Sequence, residues 1–474
     1  MTITSLIWTV VKIAVMVGFV FNIAGLLTWY DRRGGAMMQD RIGPNRATLK
    51  IFGLELRVAG LLHTAADGVK FFTKEDFMPP KADKLLFSLA PMLAMIPVLV
   101  LLAVIPFGDT LSTDLLWKSV CFKDGSPAML PVNGVCQAGY SMSMVFPAAQ
   151  RFGISMGSHP VDLVVAGLNV GLLFVFAMAG QGIVAAAIAG VSSDNKFSLM
   201  GALRAASQMV SYEVTMGLSL VGAMMVYGSV RLDDMVRWQG DNAWGIFVQP
   251  LAFFLFFTAA TAEIKRIPFD LPEAESELVS GYFTEYSGMK FGMFYFAEYM
   301  EVVTSSMLLV TIFLGGWQLP FLHRDGLTIE FGKLELLHVA IPHIWMTIIG
   351  VLGFFLKLVT ICLLQAFIRW TLPRFRYDQL MKLGWKILLP LSLANVLVTG
   401  VVSLAIQGAG ANVSDALDVV ADISQAVVAA LILYGIVRLV IFFFTSRGKT
   451  PWIVGSGAKY ASTTGGTPVT PMQA

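Results

Sequence analysis

The sequence predicts an all-α integral membrane protein of about nine transmembrane helices, plus an amphipathic helix lying in the membrane interface. Three observations carry this expectation. Of 474 residues, 56% are hydrophobic and 14% charged, with a mean hydropathy of +0.72, whereas soluble globular domains carry roughly 25% charged residues. Nine mostly apolar runs approach the ~20 residues that a helix rising 1.5 Å per residue needs to cross a bilayer. Lysine and arginine are also divided unevenly between alternate connecting segments, as the positive-inside rule requires.

The runs fall at 6–29, 85–106, 163–191, 205–227, 246–262, 291–315, 344–367, 387–406 and 423–444. The third and seventh are long enough to tilt or protrude; the fifth is short. The first exceeds the apolar stretch of a secretory signal and is followed by Asp31-Arg32-Arg33, so it reads as a retained helix. With the N-terminus outside, the inner segments hold 23 Lys/Arg and the outer ones seven, with Lys12, Lys357 and Arg438 inside spans. An odd number of spans then leaves the C-terminus in the cytoplasm of a bacterium whose inner membrane holds the chain. The formal net charge of +2 points to no nucleic-acid partner; membrane lipid is the expected surrounding.

The connecting segments differ in kind. Residues 51–76 mix apolar residues at helical spacing with Arg57, Asp67, Lys70 and Lys74. They are too charged to span and read as an interfacial helix. Residues 107–160 form a long outer loop, punctuated by Ser, Gly and Pro, with room for a short helix. It carries Cys121 and Cys136, for which a disulfide and two free thiols both stand open. Cys362 reads as packing within the seventh span. Three cysteines fall short of the about four ligands of an iron–sulfur cluster, and no metal site is expected. The chain thus divides into a core of eight helices (1–406), an additional C-terminal helix (407–445) and a flexible tail (446–474) rich in Gly, Ser, Thr and Pro.

Charges inside spans are the first functional candidates, because each costs at least ~2.5–3.5 kcal/mol at the bilayer centre. Lys12 sits near the outer end of its span and can snorkel. Glu213 lies well inside the fourth span. Glu298 and Glu301 are three apart in the sixth and share a face. Lys357 is in the middle of the seventh, with Gln365 two turns on. A hydrated proton path and a buried pair of Lys357 with one glutamate are both compatible with this set.

The densest signal is the inner segment 263–290, with Glu263, Asp270, Glu273, Glu275, Glu277 and Glu285 against Lys265, Arg266 and Lys290. Pro268 and Pro272 interrupt any helix there. A helix resuming at Glu273 would put Glu273 and Glu277 on one face and turn Glu275 away. The interleaved Phe269, Tyr282, Phe283 and Tyr286 point to a semi-buried chamber, although a solvated loop could carry the same charges.

Four stretches, in order, resemble one family. RIPFDLPEAESELVSGYFTEYSGMKFGMFYFAEYM (266–300) resembles the signature loop and following helix of the H subunit of NADH-quinone oxidoreductase, respiratory complex I. DRRGGAMMQDRIGPNR (31–46), LRAASQMVSYEV (203–214) and LPRFRYDQLMKLGWKILLPLSL (372–393) match the same family. The resemblance covers about residues 6–406, apart from the long outer loop.

It implies a subunit that anchors the hydrophilic arm, forms much of the quinone tunnel and opens the proton path, the quinone being ubiquinone or menaquinone. The implied partners are the hydrophilic-arm subunits with the terminal iron–sulfur cluster, and the antiporter-like and small membrane subunits; neither cluster nor flavin is expected on this chain. It implies a proton path along Glu213, Glu263 and Glu298, with Lys357 in the same machinery. An acidic funnel of Asp270, Glu273, Glu275 and Glu277 lies beside the quinone headgroup, and Arg33, Arg41, Asp67, Lys70 and Phe269 line the chamber. Asp31, Arg32, Arg266, Arg374, Arg376 and Asp378 fall on the inner face toward the arm.

Asp31 and Arg33 stand where the family has Glu and Lys, and the long outer loop, its cysteines and the ninth helix are additions. A membrane subunit of an energy-converting hydrogenase shares this ancestry without the same tunnel. A secondary transporter would show inverted repeats, and no such symmetry is visible.

Overall fold

Polar backbone in a bilayer must be satisfied internally, so apolar runs of this length fold as helices. The computed structural model describes residues 3–41, 43, 44, 46–51, 54–56, 60–110, 118–123, 126–129, 141–145, 162–273, 275–323, 326–331, 334–340, 343–408 and 411–445. In chain order the helices are α1 (Ile3–Met38), α2 (Leu62–Thr73), α3 (Lys84–Leu101), α4 (Gly171–Ala179), α5 (Gln181–Ser192), α6 (Lys196–Tyr227), α7 (Leu232–Asp241), α8 (Gly245–Val248), α9 (Pro250–Glu263), α10 (Glu275–Leu278), α11 (Gly288–Phe313), α12 (His343–Thr371), α13 (Tyr377–Lys382), α14 (Leu389–Gly408) and α15 (Ala411–Thr445). Each apolar run is helical over most of its length, the third only from Gly171 onward. Strands occur only as three small antiparallel groups in connecting segments: 49–51 with 54–56, 118–123 between 126–129 and 141–145, and 326–331 between 322–323 and 334–340. The long outer segment, expected only as a loop with room for a short helix, therefore holds strands. The thiols of Cys121 and Cys136 lie outside the described residues, and so does the tail from 446.

Seven helices among the described residues are long and apolar enough to cross a membrane, against the nine expected. The third expected span is one of them, broken at Gly180 into α4 and α5. The eighth runs from α13 through a π-helical turn at Leu383–Leu388 into α14. The fifth expected span is α9, whose 14 residues reach ~21 Å, short of the ~30 Å hydrocarbon core. The ninth is α15, of which 420–435 forms a shorter apolar segment. The segment 51–76 gives a helix over 62–73 only. It packs on α1 and α11, with Phe71 against Phe291 at a ring separation of 6.1 Å, and leaves Val69 and Phe72 exposed.

Local chemistry fixes the ends. Asp83 caps α3, accepting from the Leu85 and Leu86 amides. Asn195 caps α6 through the Phe197 amide, and Pro250 opens α9, where no helical amide partner is needed. At the centre α6 packs on α5, α9 and α14, while α11 packs on α1, α3 and α12 and is the most buried of the long helices. Lipid tails supply no hydrophobic contrast between helices, so polar cross-links carry weight. Gln249 donates to Thr399 at 2.9 Å and accepts from Asn395 at 3.2 Å. Gln239 donates to the Thr311 carbonyl at 2.9 Å and accepts from the Gly315 amide at 2.9 Å. Lys12 donates to the Asp162 and Val164 carbonyls at 3.0 and 2.7 Å, the structural role expected for it.

Because α9 is short, the segment after Glu263 begins at the depth of the bundle. Irregular backbone is tolerated there only when buried in protein, and Ile264, Lys265, Phe269, Asp270, Leu271, Tyr282, Phe283 and Tyr286 are buried. Its return against α6 depends on two glycines. A Cβ on Gly201 would meet the Gly281 Cα at 2.7 Å, and Gly281 sits at φ +56° under the Pro272 carbonyl. Gly281→Ala should therefore destabilise the chain by about 1–3 kcal/mol, read as a lower thermal midpoint of the detergent-solubilised protein; an unchanged midpoint contradicts this packing.

Candidate functional site

The site grows from one residue that bilayer physics disfavours. Arg266, just past α9, is nearly enclosed, with a side chain 12% exposed. Its Nε donates to Glu298 of α11 at 2.7 Å and its Nη1 to Asp31 of α1 at 3.2 Å. The guanidinium lies 3.7 Å from the centre of the Tyr299 ring. Asp31 Oδ2 also accepts from the Tyr299 hydroxyl at 2.9 Å and from Arg369 of α12 at 2.6 Å. Three helices and the segment after α9 are thus tied by two carboxylates and two guanidiniums.

The neighbouring Lys265 sits at φ +62°, and its Nζ faces Glu301 at 3.9 Å and the Tyr282 ring at 5.8 Å. Glu298 and Glu301 share a face of α11, as their spacing implied, yet each meets its own cation. Deeper in the bundle, Glu263 and Glu301 line a cavity of ≈ 60 Å³ walled by α3, α4, α5, α6, α9 and α11, room for several waters. Glu263 feels the charges of Glu301 and Glu213. Glycines at the α4–α5 break make space for these side chains: a Cβ on Gly180 would meet Glu213 at 3.3 Å and one on Gly182 would meet Glu301 at 3.9 Å.

Toward the end of the bundle at which α6 begins, Asp270 accepts from Arg374 at 2.7 Å, and its other carboxylate oxygen is buried with no partner among the described residues. Phe269 stacks on Phe375 at 5.5 Å and stands 5.9 Å from the Tyr212 ring. Gln208 donates to the carbonyls of Ala262 and Phe269 at 2.8 Å each, pinning the start of the segment to α6. Glu273 is embedded among Glu298, Asp270, Arg266 and Lys265. Burial pushes the Asp270 carboxyl up from 3.8 to about 7, with Arg374 opposing and Glu298 adding to the shift. Burial, then Glu298 and Asp270, hold Glu273 well above the ordinary carboxylate range.

The expected set is only partly assembled. Asp270, Glu273, Glu298, Glu263 and Glu213 come together with Arg266, Arg374, Asp31 and Phe269. Helix α10 starts at Glu275 rather than Glu273, because the chain is still turning after Pro272, so Glu273 and Glu277 do not share a helical face. Glu277 instead pairs with Arg204 of α6 at 2.7 Å on an exposed surface. Asp67 of α2 pairs with Arg32 and with Lys70, the latter at 3.2 Å. Arg33 rests near Gly43. Arg41 is exposed with Gln39, and Arg376 and Asp378 are exposed at the start of α13.

Lys357 is elsewhere. It donates to the carbonyls of Leu314, Gly316 and Gln318 at 2.7, 3.0 and 2.6 Å, over the Trp244 ring at 4.1 Å. It thereby satisfies carbonyls of the C-cap of α11 and of the turn that follows, some ~20 Å along that helix from Glu301 at 1.5 Å per residue. The buried pair with a glutamate that the sequence left open is not formed. Sequence reasoning missed Gln208, Tyr299 and the pairing role of Arg369. Gln365 and Arg369, one turn apart, were a legible shared face; nothing in the sequence marks Tyr299.

Removing Arg266 would take the paired cation from buried Glu298 and leave Asp31 with Arg369 and Tyr299, so Arg266→Ala should destabilise by ~3–5 kcal/mol, measured as a fall in the thermal midpoint of the solubilised protein. The raised Asp270 value has a definite sign. The fold favours the protonated form, so this contribution to stability is complete below the ordinary value of 3.8 and is lost as pH rises through about 7. Infrared difference spectra should show a carboxylic-acid C=O band disappearing around pH 7 and absent in Asp270→Asn; a band titrating near pH 4 would contradict the burial.

The family model for NADH dehydrogenase matches residues 11–400. An H subunit of NADH-quinone oxidoreductase from Cytophaga hutchinsonii, numbered 1 in that organism, is 38% identical over 390 residues, covering 81% of this chain and 95% of that protein. The H subunit numbered 2 of Koribacter versatilis is 39% identical over 398 residues, covering 83% and 96%. The H subunit of Thermomicrobium roseum is 39% identical over 411 residues, covering 84% and 98%. Helix α15 lies beyond the range matched by the family model.

Proposed function

Because the chain belongs to the family of the H subunit of NADH-quinone oxidoreductase, we propose that it forms the quinone chamber of a proton-translocating respiratory complex and the start of its proton path. The observation that carries this reading is the unbroken neighbourhood of carboxylates from Asp270 and Glu273, through Glu298 and Glu301, to Glu263 and Glu213. Such density inside a membrane protein marks ion or proton pathways.

In this reading the bundle end carrying Asp270, Arg374 and α13 faces the cytoplasm, in keeping with the Lys/Arg distribution, and α2 lies in that interface. The exposed Arg41, Arg376, Asp378 and the Arg204–Glu277 pair form the surface that receives the hydrophilic arm. The chain divides into the eight-helix core over 1–406, α15 as an added span, and the tail. Lys357 anchors α12 to the far end of α11 and is outside the path.

The groups near Phe269 suit a quinone headgroup. Phe269 and Phe375 offer an aromatic wall, Asp270 holds a proton near neutral pH, and one of its oxygens is unpartnered among the described residues. A bound quinone would supply the two-electron, two-proton acceptor, and its electrons would come from an iron–sulfur cluster held by a neighbouring subunit. Asp270 and Glu273 answer the change of charge by altering their protonation. Arg266, shared between Asp31 and Glu298, then redistributes its hydrogen bonds and biases the glutamates around the ≈ 60 Å³ cavity. Waters in that cavity would connect Glu263 and Glu301, and Glu213 acts on Glu263 through its charge.

The test is Glu213→Gln in the assembled complex, reconstituted in vesicles. Glu213 makes no ion pair among those found in the described residues, so assembly should survive. Proton pumping and quinone turnover should fall about tenfold, the order of one 1.4 kcal/mol barrier step. Wild-type pumping in the variant would remove Glu213 from the path.

A further inference from the structure

A second, smaller cavity of ≈ 20 Å³ lies between α1, the segment after α9, α11 and α12. Its polar lining includes Asp31, Arg266, Gln365 and Arg369 together with Thr261, whose hydroxyl already donates within α9, and Leu27 and Val302 contribute apolar wall. Four polar atoms on these side chains are buried without a hydrogen-bond partner among the described residues: Asp31 Oδ1, Arg266 Nη2, and both Oε1 and Nε2 of Gln365. A buried polar atom left without a partner loses its hydration with nothing in return, so four at one place require an occupant.

Its chemistry follows from the lining. Asp31 and Glu298 balance Arg266 and Arg369, so there is no net charge for an ion to neutralise. Two orphans accept hydrogen bonds and two donate them, so the ligand must do both. Apolar holes of this size stay dry, whereas polar ones with two to four partners hold water, at ~10–15 Å³ of such space per molecule. We propose that this cavity is a binding site for one or two ordered water molecules, which accept from Arg266 Nη2 and Gln365 Nε2 and donate to Asp31 Oδ1 and Gln365 Oε1. Gln365 is then a positioning residue. Through the water it holds the Asp31 carboxylate, whose Oδ2 already takes Arg266, Arg369 and Tyr299. It thereby fixes the guanidinium that Glu298 needs. The site stands whether or not the glutamates carry protons.

The experiment is a cryo-electron microscopy map of the intact complex, at a resolution that shows waters elsewhere in the membrane arm, for wild type and for Gln365→Met. The wild-type map should show density in the cavity at ~2.7–3.2 Å from the Asp31, Arg266 and Gln365 atoms. In the variant, similar in length but without hydrogen-bonding groups, that density should be lost and the Asp31 carboxylate displaced. No density in wild type, or a Gln365 amide bonded directly to protein groups, would overturn the proposal. So would unchanged density in the variant, or a cation identified by short coordination distances and dependence on sodium.

Discussion

The arrangement depends on one constraint: a guanidinium at the depth of a membrane bundle must be paired and fully hydrogen-bonded. Arg266 meets it by binding Glu298 and Asp31 at once and lying over Tyr299. This sets the relative placement of α1, α11 and α12, since Asp31 also takes Arg369. It also explains why the short helix α9 ends where it does. One more turn would carry Arg266 past its partners, and the segment after it could not fold back beneath α6.

From this anchor the site divides into zones of different chemistry. Near the start of α6 the carboxyls of Asp270 and Glu273 are buried beside aromatic rings, and burial favours their protonated forms. At the anchor, charges are fixed in pairs. Beyond it, Glu263 and Glu301 line space for water and Glu213 acts on Glu263 from beside Gly180, with glycines at the α4–α5 break giving the side chains room. In the proposed reading a charge change in the first zone would reach the third through Glu298, which acts on both Glu273 and Glu301, and through the cations paired around it, Arg266 and Lys265.

Much of this was legible in the sequence, for physical reasons. Apolar runs and charge asymmetry report the bilayer directly, so the long helices fell close to their expected places. Where the expectation failed, tertiary partners decided. Lys357 was expected in the proton path, with a pair to a glutamate as the alternative, but carbonyls at and just beyond the end of α11 take it instead, and sequence cannot say which acceptor a buried ammonium will find. Glu273 and Glu277 shared a face only if a helix resumed at 273, and the turn after Pro272 delays it to Glu275. The cluster around Asp31 joins residues more than 200 positions apart, such as the Asp31–Arg266 pair, which no local periodicity encodes.

The proposed coupling rests on where the quinone headgroup sits. The direct measurement is photo-crosslinking of the intact complex with a quinone bearing a photoreactive group on its ring, followed by peptide mapping. A headgroup beside Phe269 and Asp270 predicts labelling within 203–214, 266–286 and 372–378, competed away by unmodified quinone. Labelling confined to lipid-facing helices, or to other subunits alone, would contradict it.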